Sequence, residues 1–248
     1  MMDIRIFHGK DNWILGIIED FIQTVAAVPD SRQPRICLAG GQTPEPVYHA
    51  LSQLMVDGKA GRAPAILVPG DERLPTGNPA VLNETMLARS FAPAIASGVA
   101  ILYRWLDETT ERATASSGSG LNPGLSFGED MAQSMIQIME ARLASLASPG
   151  QVPFDICYPG LGADGHTAGP FPGMPGLAAP GICVRGLAPV PPLLRVSLGF
   201  PALLSSGRTR FLISAAGKEA SLARLQAADA SCPAVMATTE DTIAFVLA

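Results

Sequence analysis

Short apolar runs alternate with segments of helical periodicity along this chain, and the alternation constrains the fold more than any other feature of the sequence. Residues 3–8 predict a strand, and residues 11–28 predict a helix whose apolar side chains share one face. The same order then repeats, with a strand at 35–39, a helix from Pro44 and a strand at 65–68. A β-α-β-α-β order predicts an α/β fold built on a parallel, doubly wound sheet with helices on both faces.

The rest of the chain continues this pattern with less regular connections. The other predicted helices cover about 80–91, 129–146, 201–205 and 218–228, and the other predicted strands lie near 99–103, 154–158, 193–198, 210–215 and 242–247. Residues 107–128 are rich in Ser, Thr and Gly and predict a surface loop, whereas the prolines of 170–192 predict loops with short strands. Because no internal repeat or compositional break divides the sequence, we expect a single domain over residues 1–248.

Composition and charge argue against several classes of protein. The chain has 248 residues, of which 48% are hydrophobic, and its net charge of −5 argues against a nucleic-acid-binding surface. No apolar run approaches the ~18 residues that a membrane-spanning helix needs. The cysteines form no CxxC pair, which predicts buried free thiols in a reducing compartment and hence a cytoplasmic protein. These cysteines are Cys37, Cys157, Cys183 and Cys232.

The stretch from Phe154 to Gly173 carries the strongest candidate chemistry. An apolar run ends there in glycines that enclose Asp164 and His166, beyond the carboxyl end of a predicted strand, where open α/β sheets bind ligands. A histidine can take a proton near neutral pH, and a nearby carboxylate fixes its tautomer and raises its basicity. A tight turn whose aspartate caps the following segment explains the same residues, and spacing alone leaves both interpretations open.

The turn Gly40-Gly41-Gln42-Thr43 lies between a predicted strand and a predicted helix. Its backbone N–H groups, the helix N-terminus and the Thr43 hydroxyl can together bind a phosphate. A plain tight turn in which Thr43 caps the helix is the structural alternative.

Three charged residues, Asp71, Glu72 and Arg73, follow the predicted strand at 65–68 in what we expect to be a loop. Such a cluster is often a surface ion pair that contributes little energy. Its position at a strand end favours a functional role at the same sheet edge as His166.

Two further cations are candidates for binding an anion at that edge. Arg195 lies in a strand-like run, and Lys218 begins a predicted helix, where a cation opposes the helix dipole unless an anion intervenes. A solvent-exposed lysine is the alternative. The three histidines show no HxxxH, HxH or Cys–His spacing, so we expect no metal site.

Three blocks in the expected order resemble the 6-phosphogluconolactonase family, which belongs to a larger group with the glucosamine-6-phosphate deaminases. AGGQTPEPVYHAL at 39–51 resembles the family's GGSTP block, GDERLP at 70–75 with Asn83 resembles its DER block, and GLGADGHTAGPFPG at 160–173 resembles its GxGxDGHTASLFPG block. Weaker matches are PLLRVSL and AAGK, which contain Arg195 and Lys218. The resemblance covers nearly the whole chain and implies a Rossmann-like, mostly parallel sheet of the NagB/RpiA/CoA transferase-like type.

The resemblance also implies an activity, the hydrolysis of 6-phosphogluconolactone to 6-phosphogluconate in the oxidative pentose phosphate pathway. His166 would be the general base on water, Asp164 its orienting partner and Arg73 the group that stabilises the carbonyl oxygen. No metal or organic cofactor is implied, and the partner is a small sugar phosphate. The implied substrate-binding residues are Gly40, Gly41, Thr43, Asp71, Glu72, Arg195 and Lys218.

Two alternatives remain at this point. Deaminases have Tyr after the Asp-Glu pair and an FNEP-like continuation after the histidine, so Arg73 and Phe171-Pro172-Gly173 favour the lactonase over a deaminase or isomerase. A non-catalytic sugar-phosphate-binding protein is the other alternative.

Five positions depart from the family's pattern. The departures affect the predicted phosphate site and the shape of the loop that follows the histidine. They are Ala39, Gln42, Leu82, Gly169 and Pro170.

Overall fold

Two β-sheets form the framework of the protein. The structure, a computed structural model, describes residues 2–61, 64–74, 79–106, 125–146, 153–174, 177, 180–191 and 194–248. The strands in these segments are β1 (Asp3–Phe7), β2 (Arg35–Leu38), β3 (Ala65–Pro69), β4 (Asp71–Arg73), β5 (Ala100–Leu102), β6 (Ile156–Tyr158), β7 (Cys183–Leu187), β8 (Leu194–Leu198), β9 (Thr209–Ser214) and β10 (Thr242–Leu247). The main sheet has seven parallel strands in the order β1-β10-β9-β6-β2-β3-β5.

Helices cover both faces of the main sheet. They are α1 (Lys10–Ala26), α2 (Glu45–Val56), α3 (Asn83–Ser90), α4 (Ala92–Ala96), α5 (Leu125–Leu146), α6 (Phe200–Leu204) and α7 (Glu219–Gln226), with 3₁₀ turns at Pro79–Val81 and Pro233–Ala237. Helices α1 to α4 contribute to one hydrophobic core, and α5 to α7 contribute to the other. The predicted doubly wound, mostly parallel α/β fold is therefore confirmed.

Strand alternation explains why the sheet supports two cores. Successive side chains of a strand point to opposite faces, so Ile36 and Leu38 of β2 enter the α1–α4 core while Cys37 enters the α5–α7 core. Strands buried on both faces are continuous apolar runs, which is why short apolar segments signalled them in the sequence.

A second, three-stranded antiparallel sheet in the order β4-β8-β7 was not expected from the sequence. The predicted loop at Asp71–Arg73 is wrong, because these residues form strand β4 and pair with β8. Gly70 makes the transition between the sheets: its N–H donates to the Leu38 carbonyl of β2, and its carbonyl accepts from the Leu198 N–H of β8.

Two helix boundaries differ from those predicted. In place of the single helix expected over 80–91 there is a 3₁₀ turn followed by α3, because Leu82 has an extended backbone that separates the two. Helix α5 begins at Leu125, so the last residues of the loop predicted at 107–128 are helical. Residues 107–124 lie outside the described segments.

The prediction of buried free thiols is confirmed, since all four cysteines are free and buried. Among the described residues, no helix combines the length and apolar character needed to cross a bilayer.

Candidate active site

A cleft of about 400 Å³ lies beyond the carboxyl ends of β2, β3, β6 and β9. In the order of the sheet these strands are β9, β6, β2 and β3, so the turns that follow them meet at one edge. Ligands of open α/β sheets bind in this position. The residues that line the cleft are Ala39, Gly40, Gly41, Gln42, Thr43, Pro44, Asp71, Arg73, Asn83, Gly160, Leu161, Gly162, His166, Ala168, Leu212 and Lys218.

The turn after β2 requires glycine at two successive positions. Gly41 has φ +96°, which side chains with a Cβ rarely adopt, and a Cβ on Gly40 would lie 1.9 Å from Oδ1 of Asn83. Pro44 occupies the cap position of α2, and no side chain caps the helix, so the cap predicted at Thr43 is not formed. Thr43 lines the cleft instead, next to the positive end of α2.

Strand β4 divides its three charged residues between the cleft and the interior. Asp71 and Arg73 lie on one face and line the cleft, whereas Glu72 lies on the other face and is completely buried. The Glu72 carboxylate accepts the backbone N–H groups of Arg73 (2.7 Å), Asn83 (2.9 Å) and Glu84 (2.7 Å). Burial, with the neighbouring Glu84 carboxylate, raises the pKa of Glu72 to about 8. Glu72 therefore holds β4 against the start of α3 and lies outside the cleft.

Asn83 connects Asp71 to the rest of the cleft. Its Nδ2 donates to the backbone oxygen of Asp71 (2.9 Å) and to its Oδ1 (3.1 Å), while Oδ1 of Asn83 faces Gly40. The sequence placed Asn83 with the GDERLP block but did not mark it as a site residue. In the structure Asn83 is the first residue of α3, and this position brings its side chain to β4.

The Asp71 carboxylate lies near two arginines and His166. Burial raises its pKa, while Arg73, Arg195 and His166 oppose the rise. Arg73 also donates through Nη1 to the carbonyl of Val81. The antiparallel register pairs Arg73 with Arg195, so both guanidinium groups start from the face of the small sheet that carries Asp71.

The catalytic candidates lie in a tightly closed turn after β6. The N–H of Gly162 donates to the His166 carbonyl (2.8 Å), and the N–H of Gly165, at φ +91°, donates to the Gly162 carbonyl (3.0 Å). A Cβ on Gly162 would lie 2.2 Å from Nδ1 of His166. Arg224 of α7 donates to the Asp164 carbonyl (2.7 Å) and fixes the turn from outside.

Asp164 orients the imidazole of His166. One carboxylate oxygen, Oδ1, accepts the backbone N–H of His166 at 3.1 Å and lies 2.5 Å from its Nδ1. Partial burial acts to raise the pKa of Asp164, but these hydrogen bonds outweigh it and the pKa lies below its usual value. Because Nδ1 donates to the carboxylate, Nε2 of the neutral ring carries the lone pair that can accept a proton. Phe171 packs against the ring with centroids 4.3 Å apart.

Lys218 and Arg195 occupy different positions relative to the cleft. Lys218 caps α7 after β9, is half-buried and lines the cleft, and burial lowers its pKa. Arg195 is buried in β8 and is not among the lining residues; burial lowers its pKa, while Asp71 opposes the decrease. Lys218 therefore faces the cleft directly, whereas Arg195 acts on it through Asp71.

The family model for glucosamine-6-phosphate isomerases and 6-phosphogluconolactonase matches residues 10–245 of the chain. The chain belongs to this family. Among curated proteins, no sequence matches it.

Solved structures share the fold over the full length of this family member. A 6-phosphogluconolactonase from Trypanosoma brucei aligns with a TM-score of 0.78 at 19% identity, covering 100% of this chain and 96% of that one. A Leishmania guyanensis 6-phosphogluconolactonase gives 0.76 at 20% identity, with 100% and 96% covered. One from Thermotoga maritima gives 0.69 at 19% identity, with 100% and 99% covered. These similarities establish the fold.

The five positions that depart from the family's pattern differ in their relation to the cleft. Ala39 and Gln42 line it, and Leu82 immediately precedes α3. Gly169 and Pro170 are buried, and a Cβ on Gly169 would lie 2.6 Å from the Cβ of Ser197, so glycine is required there. Within the described residues, no three His, Cys, Asp or Glu side chains form a group that could hold a metal ion.

Proposed function

We propose that this protein hydrolyses 6-phosphogluconolactone to 6-phosphogluconate, the lactone-opening step of the oxidative pentose phosphate pathway. The observation that carries the proposal is the His166–Asp164 pair, which presents a basic ring nitrogen to the same cleft as Arg73 and Lys218. Family membership and the names of the structural neighbours support this choice of substrate.

The proposed chemistry is general-base hydrolysis of an ester that is closed into a ring. Nε2 of His166 takes a proton from water, and the hydroxide adds to the lactone carbonyl to form a tetrahedral oxyanion. The Arg73 guanidinium stabilises the negative oxygen, since it has N–H donors besides the one bonded to Val81. The ring oxygen then leaves with the proton that His166 carries, while Asp164 stabilises the imidazolium. A lactone is already activated, so a positioned base that contributes ~10²–10⁴-fold suffices without a cofactor.

A second group of residues would bind the substrate's phosphate. The backbone N–H groups of Gly40 and Gly41, the Thr43 hydroxyl and the Lys218 ammonium all border the cleft. The start of α2 adds the positive end of its dipole. These local cations and dipoles attract a phosphate although the protein's net charge is −5.

The remaining candidates would act on the sugar ring or behind it. Asp71 borders the cleft and can accept a substrate hydroxyl, while the buried Arg195 favours its charged form. Glu72 would contribute indirectly, by holding the backbone of Arg73 and Asn83 in place. The four reduced thiols accord with a cytoplasmic location.

The direct test is to measure 6-phosphogluconolactone opening above its spontaneous rate, with 6-phosphogluconate as the detected product. His166→Ala should lower kcat/KM by ~10²–10⁴-fold, the range of a lost general base. The matched control is His49→Ala, since His49 is exposed on α2 and its Nε2 makes only a long contact, 3.9 Å, with Oε1 of Glu45. Equal activity of the two variants would refute the assignment of His166.

A deaminase or isomerase is the second candidate, and the carboxylate of Asp71 in the cleft is the observation that favours it. Such an enzyme needs a base to move a proton between neighbouring carbons of an amino-sugar phosphate. Glucosamine 6-phosphate should therefore be assayed in parallel for ammonia release. Release of ammonia without lactone opening would replace the proposal with this alternative.

A further inference from the structure

A buried hydroxyl in β8 contacts two backbone segments near the catalytic candidates, the loop that carries His166 and the residue before β4. Ser197 is fully buried, and its Oγ accepts the N–H of Gly169 at 2.9 Å. Its hydroxyl can donate to the carbonyl oxygens of Leu198 (2.8 Å) and Gly70 (3.3 Å). Gly169 belongs to the loop that carries His166, and Gly70 immediately precedes β4, which carries Asp71 and Arg73.

The loop reaches Ser197 through a strained residue. Ala168 has φ +52°, a left-handed conformation that is disfavoured for a residue with a Cβ, and it lines the cleft between His166 and Gly169. The hydrogen bond to Ser197 is made by the next N–H along the chain. This buried bond therefore holds the strained segment in place.

The loop packs closely on the small sheet at Gly169, which has no side chain of its own. A Cβ on Gly169 would meet the Cβ of Ser197 at 2.6 Å, and a Cβ on Gly186 of β7 would meet the Gly169 carbonyl oxygen at 2.4 Å. A side chain at either glycine would therefore push the loop away from β7 and β8. The glycine at 169 is thus part of the same contact as the Ser197 hydroxyl.

The antiparallel register places Ser197 opposite Asp71 in β4. Cross-strand partners point to the same face, so Ser197 lies on the face of the small sheet that also carries Asp71 and Arg73. One side chain therefore connects the backbone of the histidine loop to the strand that supplies the arginine.

We propose that Ser197 is a positioning residue that sets His166 against Arg73 and Asp71 through its bond to Gly169. The kinetic part of this inference rests on the proposed lactone hydrolysis. Its structural part, the restraint of the loop, is independent of any activity.

The test compares Ser197→Ala with wild type by steady-state kinetics and by amide hydrogen exchange without substrate. Loss of the acceptor leaves the Gly169 N–H unsatisfied. We expect kcat to fall about tenfold, which corresponds to the free energy of one lost hydrogen bond. KM should change less than about twofold, because Thr43 and Lys218 belong to turns that Ser197 does not contact. Exchange should accelerate in peptides covering 160–171 and stay unchanged in α1.

Ser206→Ala is the matched control. Ser206 is also buried, but its Oγ has no hydrogen-bond partner among the described residues, so its removal should leave kcat and exchange unchanged. If Ser197→Ala does not fold, Ser197→Cys keeps a side chain in the same place, and because its sulfur is only a weak acceptor it should give the same local exchange.

Unchanged kcat and unchanged exchange in Ser197→Ala would overturn the inference. Faster exchange along the whole chain, with kcat and KM altered together, would also overturn it, because that pattern indicates general destabilisation. If the wild-type protein does not open the lactone, the proposed function fails, and exchange alone still decides whether Ser197 restrains the loop.

Discussion

The Asp164→Asn variant tests whether the charge of Asp164 assists His166 or whether the carboxylate only shapes the turn. Asparagine retains an oxygen that can accept both the backbone N–H and Nδ1 of His166, so the turn should keep its geometry. What is lost is the negative charge opposite an imidazole that becomes positive during proton transfer. The experiment therefore separates electrostatic assistance from local structure.

The size of the effect follows from the geometry of the pair. Nδ1 and Oδ1 lie 2.5 Å apart, and the carboxylate makes this a charge-assisted hydrogen bond once the ring is protonated. Charge-assisted hydrogen bonds contribute ~1.5–3 kcal/mol, against ~0.5–1.5 kcal/mol for neutral ones. The side chains of His166 and Asp164 are 31% and 41% exposed, so solvent screens the pair and the lower part of each range applies. A loss of about 1 to 1.5 kcal/mol corresponds to a roughly five- to twelvefold decrease in kcat.

The assay is lactone opening at saturating substrate, with thermal unfolding measured on the same samples. Asp229→Asn is the matched control, because Asp229 is partly exposed and also accepts the N–H of the residue two positions later, Ser231 at 2.8 Å. The control should match wild type in kcat. A kcat for Asp164→Asn equal to that of wild type would refute electrostatic assistance by Asp164.

Three further predictions concern the substrate's phosphate, the catalytic turn and pH. Lys218→Ala should raise KM about 10- to 100-fold by removing a charged donor from the phosphate, whereas the exposed Lys59→Ala should leave KM unchanged; equal KM values would exclude Lys218 as a phosphate ligand. Gly162→Ala should abolish most activity, because the new Cβ would lie 2.2 Å from Nδ1 of His166; wild-type kcat would contradict that spacing. The pKa of Glu72 is raised from 4.5 to about 8, so the stability it contributes is complete below pH 4.5 and decreases as pH rises towards 8. Unfolding by urea should show a loss of about 2–3 kcal/mol between pH 6 and pH 9 that Glu72→Gln reduces, and an equal loss in both proteins would contradict it.

The parallel sheet could be predicted because its signals are local. Each buried strand is a short apolar run, each helix repeats its apolar residues every three or four positions, and glycine marks the turns between them. The carboxyl ends of β2, β3, β6 and β9 could be predicted to form a ligand site for the same reason, since a parallel sheet places all strand ends of one polarity at one edge. The same argument placed Gly40, His166 and Lys218 at this edge, where the structure has them lining one cleft.

The small antiparallel sheet could not be predicted in this way. Strand β4 has only three residues, and its partner β8 is distant in sequence, so neither segment specifies the pairing by its own pattern. The pairing turns Glu72 into the interior while Asp71 and Arg73 face the cleft, a division that a loop would not impose.

By itself, the sequence determined the order of strands and helices, the two-faced sheet and the glycine turns that bring Thr43, Asp71, His166 and Lys218 to one edge. Only the tertiary structure decided which groups form hydrogen bonds at that edge. Asn83 donates to Asp71, Glu72 accepts from the start of α3, and Ser197 accepts the N–H of Gly169. The physical reason is the sequence distance over which each kind of interaction acts. Periodicity and turn chemistry act over a few neighbouring residues, whereas these hydrogen bonds depend on the register of two strands and on backbone contacts closer than any side chain allows.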